Sequence, residues 1–407
     1  MGATGQQGST PDVTREELIA RARALVPVLR ERAPKCEELR RLPDETNRDL
    51  LDAGLYRMYQ PRRYGGFEAD YQLQIDVSAE IGRGCGSTAW VLSILASHSW
   101  VQGMMGVEAQ AEVWGKTPEA LIASAFPTRT ATMRRVDGGA VLDGIWSFAS
   151  GVDVCSWTHF NVFLPPEPGK PAEPGRPPVH YFVAVPASDY EIIDDWFAAG
   201  MRGTGSKSVR VDNVFVPEHR MLNTHECVGG PTPGSLLHPG PLYRMPLFAL
   251  FGHGIVGPAV GIALGALELI VEPLLQARRS GAGVKLGDQP TVQVRIAEAS
   301  AEIDAARALL KTASDEATAM ARAGRLPTLQ ERVRFRRNGA YAGTLCLRAV
   351  ERLYPLAGAN GLAEHSPFQR AFRDVHGACA HIALTWDVQG ANYGGVVLGH
   401  PATDPKL

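Results

Sequence analysis

The 407-residue chain lacks most of the signatures by which a sequence declares its chemistry. Its six cysteines, at 36, 85, 155, 227, 346 and 379, form no CxxC pair. That excludes a zinc ribbon, a thioredoxin-type motif and a disulfide scaffold. Cysteines scattered in this way suit a reducing compartment, and a cytoplasmic protein is expected. The 11 histidines include no HExxH or other ligand spacing, so no metal is expected. Lys+Arg total 41 and Asp+Glu 43, which leaves no positive field for nucleic acid. No GxGxxG opens a helix after a strand, and neither a P-loop nor a GxSxG elbow occurs. The first 12 residues are polar and Gly-rich, without the basic-then-apolar order of a signal peptide.

What is present is a globular composition, 45% apolar and 21% charged. One apolar run reaches membrane length: between Leu247 and Leu267 the only polar side chain is His253. It also holds Gly252, Gly254, Gly257, Gly261, Gly265 and Pro258, and its flanks lack interfacial anchors. It reads as a buried bundle helix that lets neighbouring backbones approach, not as a membrane span.

Periodicity divides the chain into three regions. Thr14 with Glu17 suggests a capping box before Leu18, Ala22, Leu25 and Leu29 at helical spacing. A second helix opens at Pro43-Asp44-Glu45, and Leu73–Gly82 and Ser87–Met105 are apolar enough to be interior helices. After Leu121 the texture changes to strands, at Ala140–Trp146, Val179–Val185 and Ser208–Val216. The Pro-rich stretch 165–178 reads as a surface loop. Beyond a Pro/Gly linker at 229–241 the pattern is helical again, with a face at Ile296, Ala299, Ile303, Ala306 and Leu310 and helices around Thr328–Leu356 and Pro367–Gly395. The expected domains are helical 1–121, β 122–228 and helical 229–407.

Single residues are weak signals by themselves. His98 lies on an apolar helix where burial would lower its pKa. Trp146-Ser-Phe-Ala-Ser150-Gly151 could be a strand ending in a turn, and Gly358-Ala-Asn-Gly361 a phosphate cradle or only a helix–helix turn.

Several segments in order are more specific. Leu51-Asp-Ala-Gly-Leu-Tyr56 with Pro61-Arg-Arg-Tyr-Gly-Gly66, Gly200-Met-Arg-Gly-Thr-Gly-Ser206 with Val214-Phe-Val-Pro-Glu218, and Gly358–Gly361 with Gln369-Arg-Ala-Phe-Arg-Asp374 resemble the acyl-CoA dehydrogenase superfamily. The resemblance implies a mainly α chain: an N-terminal helical domain, a middle β barrel and a C-terminal four-helix bundle, assembled as a tetramer or dimer. Many such dehydrogenases carry a Glu base shortly after the Arg-Asp pair. Here Arg373-Asp374 is followed by His381 and Ile382 near that position.

The His instead resembles the two-component flavin-dependent monooxygenases of this fold. That implies the oxygenase component of an aromatic hydroxylase acting on a phenol, indole or fused ring. It would use O2 and reduced flavin (FADH2 or FMNH2) from a separate flavin reductase, through a flavin C4a-hydroperoxide. The resemblance makes Ser150 the partner of flavin N5, His381 the group holding the peroxide and His98 the base on the substrate. Ser124, Arg244 and Trp100 are expected at the substrate. Trp146, Ser150, Gly151, Arg278, Arg279, Gln289, Gly358 and Gly361 are expected at the flavin, in part across a subunit interface. Two other readings use the same fold: an acyl-CoA dehydrogenase with tightly bound FAD, and an N-hydroxylating, amino-sugar type monooxygenase.

Overall fold

A computed structural model describes residues 13–165, 179–276 and 285–404. Helix α1 (Arg15–Leu39) starts where Thr14 Oγ1 accepts the amide of Glu17 at 3.1 Å. Then come α2 (Asp44–Asp52), α3 (Tyr71–Gly82), α4 (Gly86–Met104) and α5 (Val107–Trp114). Every residue of α4 is buried, so it can only be an interior helix.

Eight strands follow: β1 (Ile122–Ala125), β2 (Thr128–Val136), β3 (Gly139–Ala149), β4 (Trp157–Phe163), β5 (His180–Pro186), β6 (Glu191–Ile193), β7 (Lys207–Pro217) and β8 (Met221–Asn223). They form two four-stranded sheets, ordered β1-β4-β5-β8 and β2-β3-β7-β6. Among the described residues no ladder joins these sheets into a closed barrel, so the expected barrel is replaced by a pair of sheets around their own core, which includes Trp146, Phe160 and Val209. Strand β1 pairs with β4 in parallel, with Ser124 opposite His159, and the other ladders are antiparallel. The stretch 166–178 of the Pro-rich loop lies outside the described residues.

The C-terminal region holds α6 (Leu247–Gln276), α7 (Pro290–Arg322), α8 (Leu329–Leu353), α9 (Pro367–Cys379) and α10 (Trp386–Val397). Among the described residues α6 alone is long and apolar enough to cross a membrane. Its surface is taken up by α3, α4, α8 and α9. The glycines explain how: a Cβ on Gly261 would lie 2.4 Å from the carbonyl oxygen of Ala79, so α3 and α6 touch backbone to backbone. One hydrophobic core runs from Leu18 through α6 to Leu384, uniting the first and last regions. The helix expected over Pro367–Gly395 is two helices separated by a 3-10 turn at Ile382–Leu384. Its cause is His381, whose side chain caps that turn by accepting the amide of Ala383.

Candidate active site

A cavity of about 880 Å3 opens where α4, the β region, α6 and α9–α10 meet. From α4 it takes Trp90, Ile94, His98 and Val101, which fall on one face at steps of four, four and three. The start of α6 adds Leu247, Phe248 and Phe251. Phe126 and Phe182 complete an aromatic wall, with Phe182 stacked on Phe248 and edge-on to Phe126.

His98 and His381 both line this space. His98 Nδ1 lies 3.0 Å from the carbonyl oxygen of Ile122. A carbonyl can only accept, so Nδ1 carries the proton and Nε2 the lone pair. His381 is the reverse: its Nδ1 accepts the Ala383 amide at 3.1 Å, so its proton sits on Nε2. Burial pushes both rings down to about 4, which keeps both neutral at pH 7. His98 is thus a proton acceptor and His381 a proton donor. His381 packs beside Trp90 and Phe251, with ring centroids 5.9 and 6.2 Å away. Trp90 and His98 are two turns apart on α4, roughly 12 Å along its axis.

Behind His98 stands His159, whose ring is edge-on at 6.3 Å. Its Nε2–H donates to Gln102 Oε1 at 2.7 Å, while its buried Nδ1 has no hydrogen-bond partner among the described residues. The buried Ser124 Oγ, opposite His159 across the strand pair, is likewise unpartnered there. Of the two, Ser124 lines the cavity, and an unpaired polar group on a cavity wall is what a polar ligand would satisfy.

The β region contributes Phe148 and Ser150. The β3–β7 register shifts between Trp146 and Ala149, and Phe148 takes φ +65°. That bulge reverses the alternation, turning Trp146 into the sheet core and Phe148 and Ser150 toward the cavity. Gly200, Met201, Thr204 and Ser206 line the same end. A Cβ on Gly200 would lie 2.2 Å from the carbonyl oxygen of Arg373. Met201 has φ +54°, and its amide donates to Asp374 Oδ1 at 2.6 Å. Arg373 donates to the Ala199 carbonyl at 2.5 Å and pairs with Glu37 at 2.8 Å. The Arg-Asp pair therefore fastens this loop. Burial raises the Asp374 carboxyl to about 7.

The structure brings together His98, Ser124, Ser150 and His381, and separates the other expected residues from them. Trp100 packs against Tyr59 and Tyr71, its indole N–H bound to the Leu242 carbonyl. Two residues after His98 it is turned by about 200° to the opposite face of α4. Trp146 donates to the Asn161 carbonyl inside the sheet core. Arg244 is exposed at the end of a 3-10 turn, Leu242–Arg244, and does not line the cavity. Gly151 adopts φ +72° beside Val91, where a Cβ would be 2.8 Å from that side chain, so it shapes the turn. Gln289 is exposed before α7, Gly358 forms an open left-handed turn and Gly361 is buried; none of the three lines the cavity. Arg278 and Arg279 lie outside the described residues. Phe148, Trp196, Thr204, Ser206, Arg373 and the aromatic wall are cavity residues that the sequence reading did not single out. Only the spacing of Phe248 and Phe251 on α6 was available to mark any of them.

Among the described residues, no three His, Cys, Asp or Glu side chains cluster as metal ligands, and Asp404, paired with Arg336, is the one carboxylate lining the cavity.

Comparison with known proteins gives these geometries a family. Models of the acyl-CoA dehydrogenase N-terminal and C-terminal domains match residues 14–116 and 253–386. The chain is 37% identical to the flavin-dependent monooxygenase, oxygenase subunit HsaA, of Rhodococcus jostii (strain RHA1), over 94% of this chain and 99% of that one. It is 34% identical to the FADH(2)-dependent resorcinol hydroxylase, oxygenase component, of Rhizobium sp. (strain MTP-10005), over 94% of each. Its fold is similar to that of XiaF from Streptomyces sp., solved in complex with FADH2 and glycerol, with a TM-score of 0.87 at 28% identity over 97% of this chain and 98% of that one.

Proposed function

Because the chain belongs to the acyl-CoA dehydrogenase family, in its flavin-dependent monooxygenase branch, we propose that it is the oxygenase component of a two-component aromatic hydroxylase. Its substrate is an electron-rich phenol, indole or fused aromatic, and FADH2 reaches it from a separate reductase. The observation that carries this reading is the opposed protonation of His98 and His381 in one apolar cavity.

The residues present fit a flavin and an aromatic substrate together. The volume of about 880 Å3 is ample, and apolar groups at the rim await cover: Phe148 is 57% exposed, Ile382 65% and Val388 43%. Ser150, the Gly200–Ser206 loop and His381 would hold the ring. Gln289, Gly358, Gly361 and Arg278 or Arg279 are proposed for the phosphates, across an interface between copies in a dimer or tetramer. Bound reduced flavin supplies the activation of O2 and the oxygen that is transferred.

His98 Nε2 accepts the hydrogen bond of the substrate OH or NH, and Ser124 orients that group. With its pKa near 4 rather than near neutrality, His98 is too weak a base to ionise a resting phenol. It takes the proton as the ring carbon gains oxygen and the substrate becomes acidic. His381 Nε2–H donates at the other end of the cavity. The aromatic wall excludes water, which favours oxygen transfer over peroxide release. Both cavity arginines are engaged, Arg336 with Asp404 and the Phe248 carbonyl and Arg373 with Glu37 and Ala199, so the aromatic needs no anionic substituent. A dehydrogenase base would have to be Asp404, already paired with Arg336. The six free thiols suit a cytoplasmic enzyme.

The test supplies enzymatically reduced FAD, 18O2 and matched phenols and aryl methyl ethers. Phenols should gain one labelled oxygen and the ethers, with no proton to give, none. Bleaching of an FAD-loaded protein by acyl-CoA, with no labelled product, would overturn the reading.

A further inference from the structure

We propose that Trp90, Ser206 and Thr204 make the cavity select reduced over oxidised flavin, by fixing Ser150 as a hydrogen-bond acceptor; this rests on the reading of the cavity as a flavin site. The polarity follows from the end of the chain that cannot vary. The Met201 carbonyl can only accept, and Thr204 Oγ1 lies 2.9 Å from it, so the single hydroxyl proton of Thr204 is spent there. Ser206 Oγ is 2.6 Å from Thr204 Oγ1 and must be the donor to it. Ser150 Oγ is 2.7 Å from Ser206 Oγ and must donate in turn. At the other end the Trp90 indole N–H, which can only donate, reaches Ser150 Oγ at 3.1 Å. Every link points the same way. Ser150 has no proton left to offer, and its Oγ keeps one lone pair on a side chain that lines the cavity.

The chain is anchored well enough to keep this direction. Met201 is held by Asp374 at its amide and by the Trp196 indole, 3.2 Å from its carbonyl. Trp90, Ser150, Thr204 and Ser206 are all buried, so their hydrogen bonds to one another form in weakly screening surroundings.

The consequence is chemical. Flavin N5 is an N–H donor when reduced and a lone-pair acceptor when oxidised. A fixed acceptor satisfies the first and opposes the second. An oxygenase that receives diffusing reduced flavin meets the oxidised form in the same solution, and Ser150 so oriented discriminates between them. One hydrogen bond gained against one unsatisfied pair amounts to roughly a ten- to hundredfold preference.

The experiment titrates the full-length apoprotein anaerobically with reduced FAD and separately with oxidised FAD, and also reads the midpoint potential of the bound flavin. The wild type should bind the reduced form at least tenfold more tightly. Thr204→Val removes the group that fixes the direction, so Ser206 and Ser150 can turn and the Ser150 proton can face the ligand. The preference should fall about tenfold, mostly through tighter binding of oxidised FAD, with a lower potential. Thr204→Ser restores the hydroxyl and should restore the preference. Should Thr204→Val fail to fold, Ser206→Ala carries the same test. An unchanged ratio in a folded Thr204→Val or Ser206→Ala protein would overturn the proposal, as would equal affinity of the wild type for both forms. Failure of the wild type to bind either form would instead remove the flavin reading itself.

Discussion

The two ends of the cavity are built on opposite principles. At the β-region end every hydroxyl is committed: Ser150, Ser206 and Thr204 form one directed chain, and Asp374 and Arg373 tie down the loop that carries it. At the α4–β1 end Ser124 Oγ and, behind it, His159 Nδ1 have no partner among the described residues. A committed end is a preformed cradle for one recurring group. An uncommitted end leaves its hydrogen-bonding capacity for a polar atom set in an apolar ring. On the proposed reading, the difference separates what the protein holds from what it transforms.

The strongest way to break this comparison is at the two histidines. His98→Ala should cut hydroxylation about 10^2- to 10^4-fold while leaving reduced-flavin affinity unchanged. His381→Ala should leave oxygen consumption in place and divert it to hydrogen peroxide. Product and peroxide yields check both, and identical phenotypes would merge the two roles. Next in size, Asp374→Ala leaves the buried Met201 amide unpaired, which should cost about 1–3 kcal/mol in urea unfolding and weaken flavin binding.

Third is pH. His98, His253 and His381 are lowered from 6.5 to about 4 by burial. Their neutral forms favour the fold, so this stability is fully present above pH 6.5 and drains as pH falls toward 4. Each group contributes up to about 1.4 kcal/mol per pH unit in that window. Asp374, raised from 3.8 to about 7, works the other way: its share is present below pH 3.8 and lost as pH rises toward 7. Urea midpoints across pH 4–7 should therefore rise with pH, less steeply in His381→Asn. The smallest effect belongs to Ser124→Ala. With no hydrogen bond to lose among the described residues, it should leave the melting temperature unchanged and only raise KM for phenols severalfold.

Much of this was legible in the sequence where one element decides the outcome. The glycines of α6 announced close backbone packing, and His98 sat on an apolar face. Trp100 could have been discarded on helical geometry alone, since residues two apart cannot share a face. Trp146 and Ser150 could not be sorted. They lie four apart, Trp146 in β3 and Ser150 just past its end, and the bulge that reverses the alternation depends on a left-handed Phe148, which no residue type signals. The break before α10 was hidden because its cause is the His381 side chain acting as a cap. The chain from Trp90 to Thr204 joins residues more than a hundred positions apart, and only the packing of α4 against the β region makes it.

The contact between α3 and α6 carries a further consequence. Where Gly261 faces Ala79 there is no side-chain layer to slide or swing aside. That wall should surrender its amide hydrogens to deuterium only when the whole molecule opens, the slowest class of exchange. Traffic to the cavity belongs instead to its exposed rim, at Phe148, Ile382 and Val388. Opening the site and opening the molecule are then separate events, and they run on separate timescales.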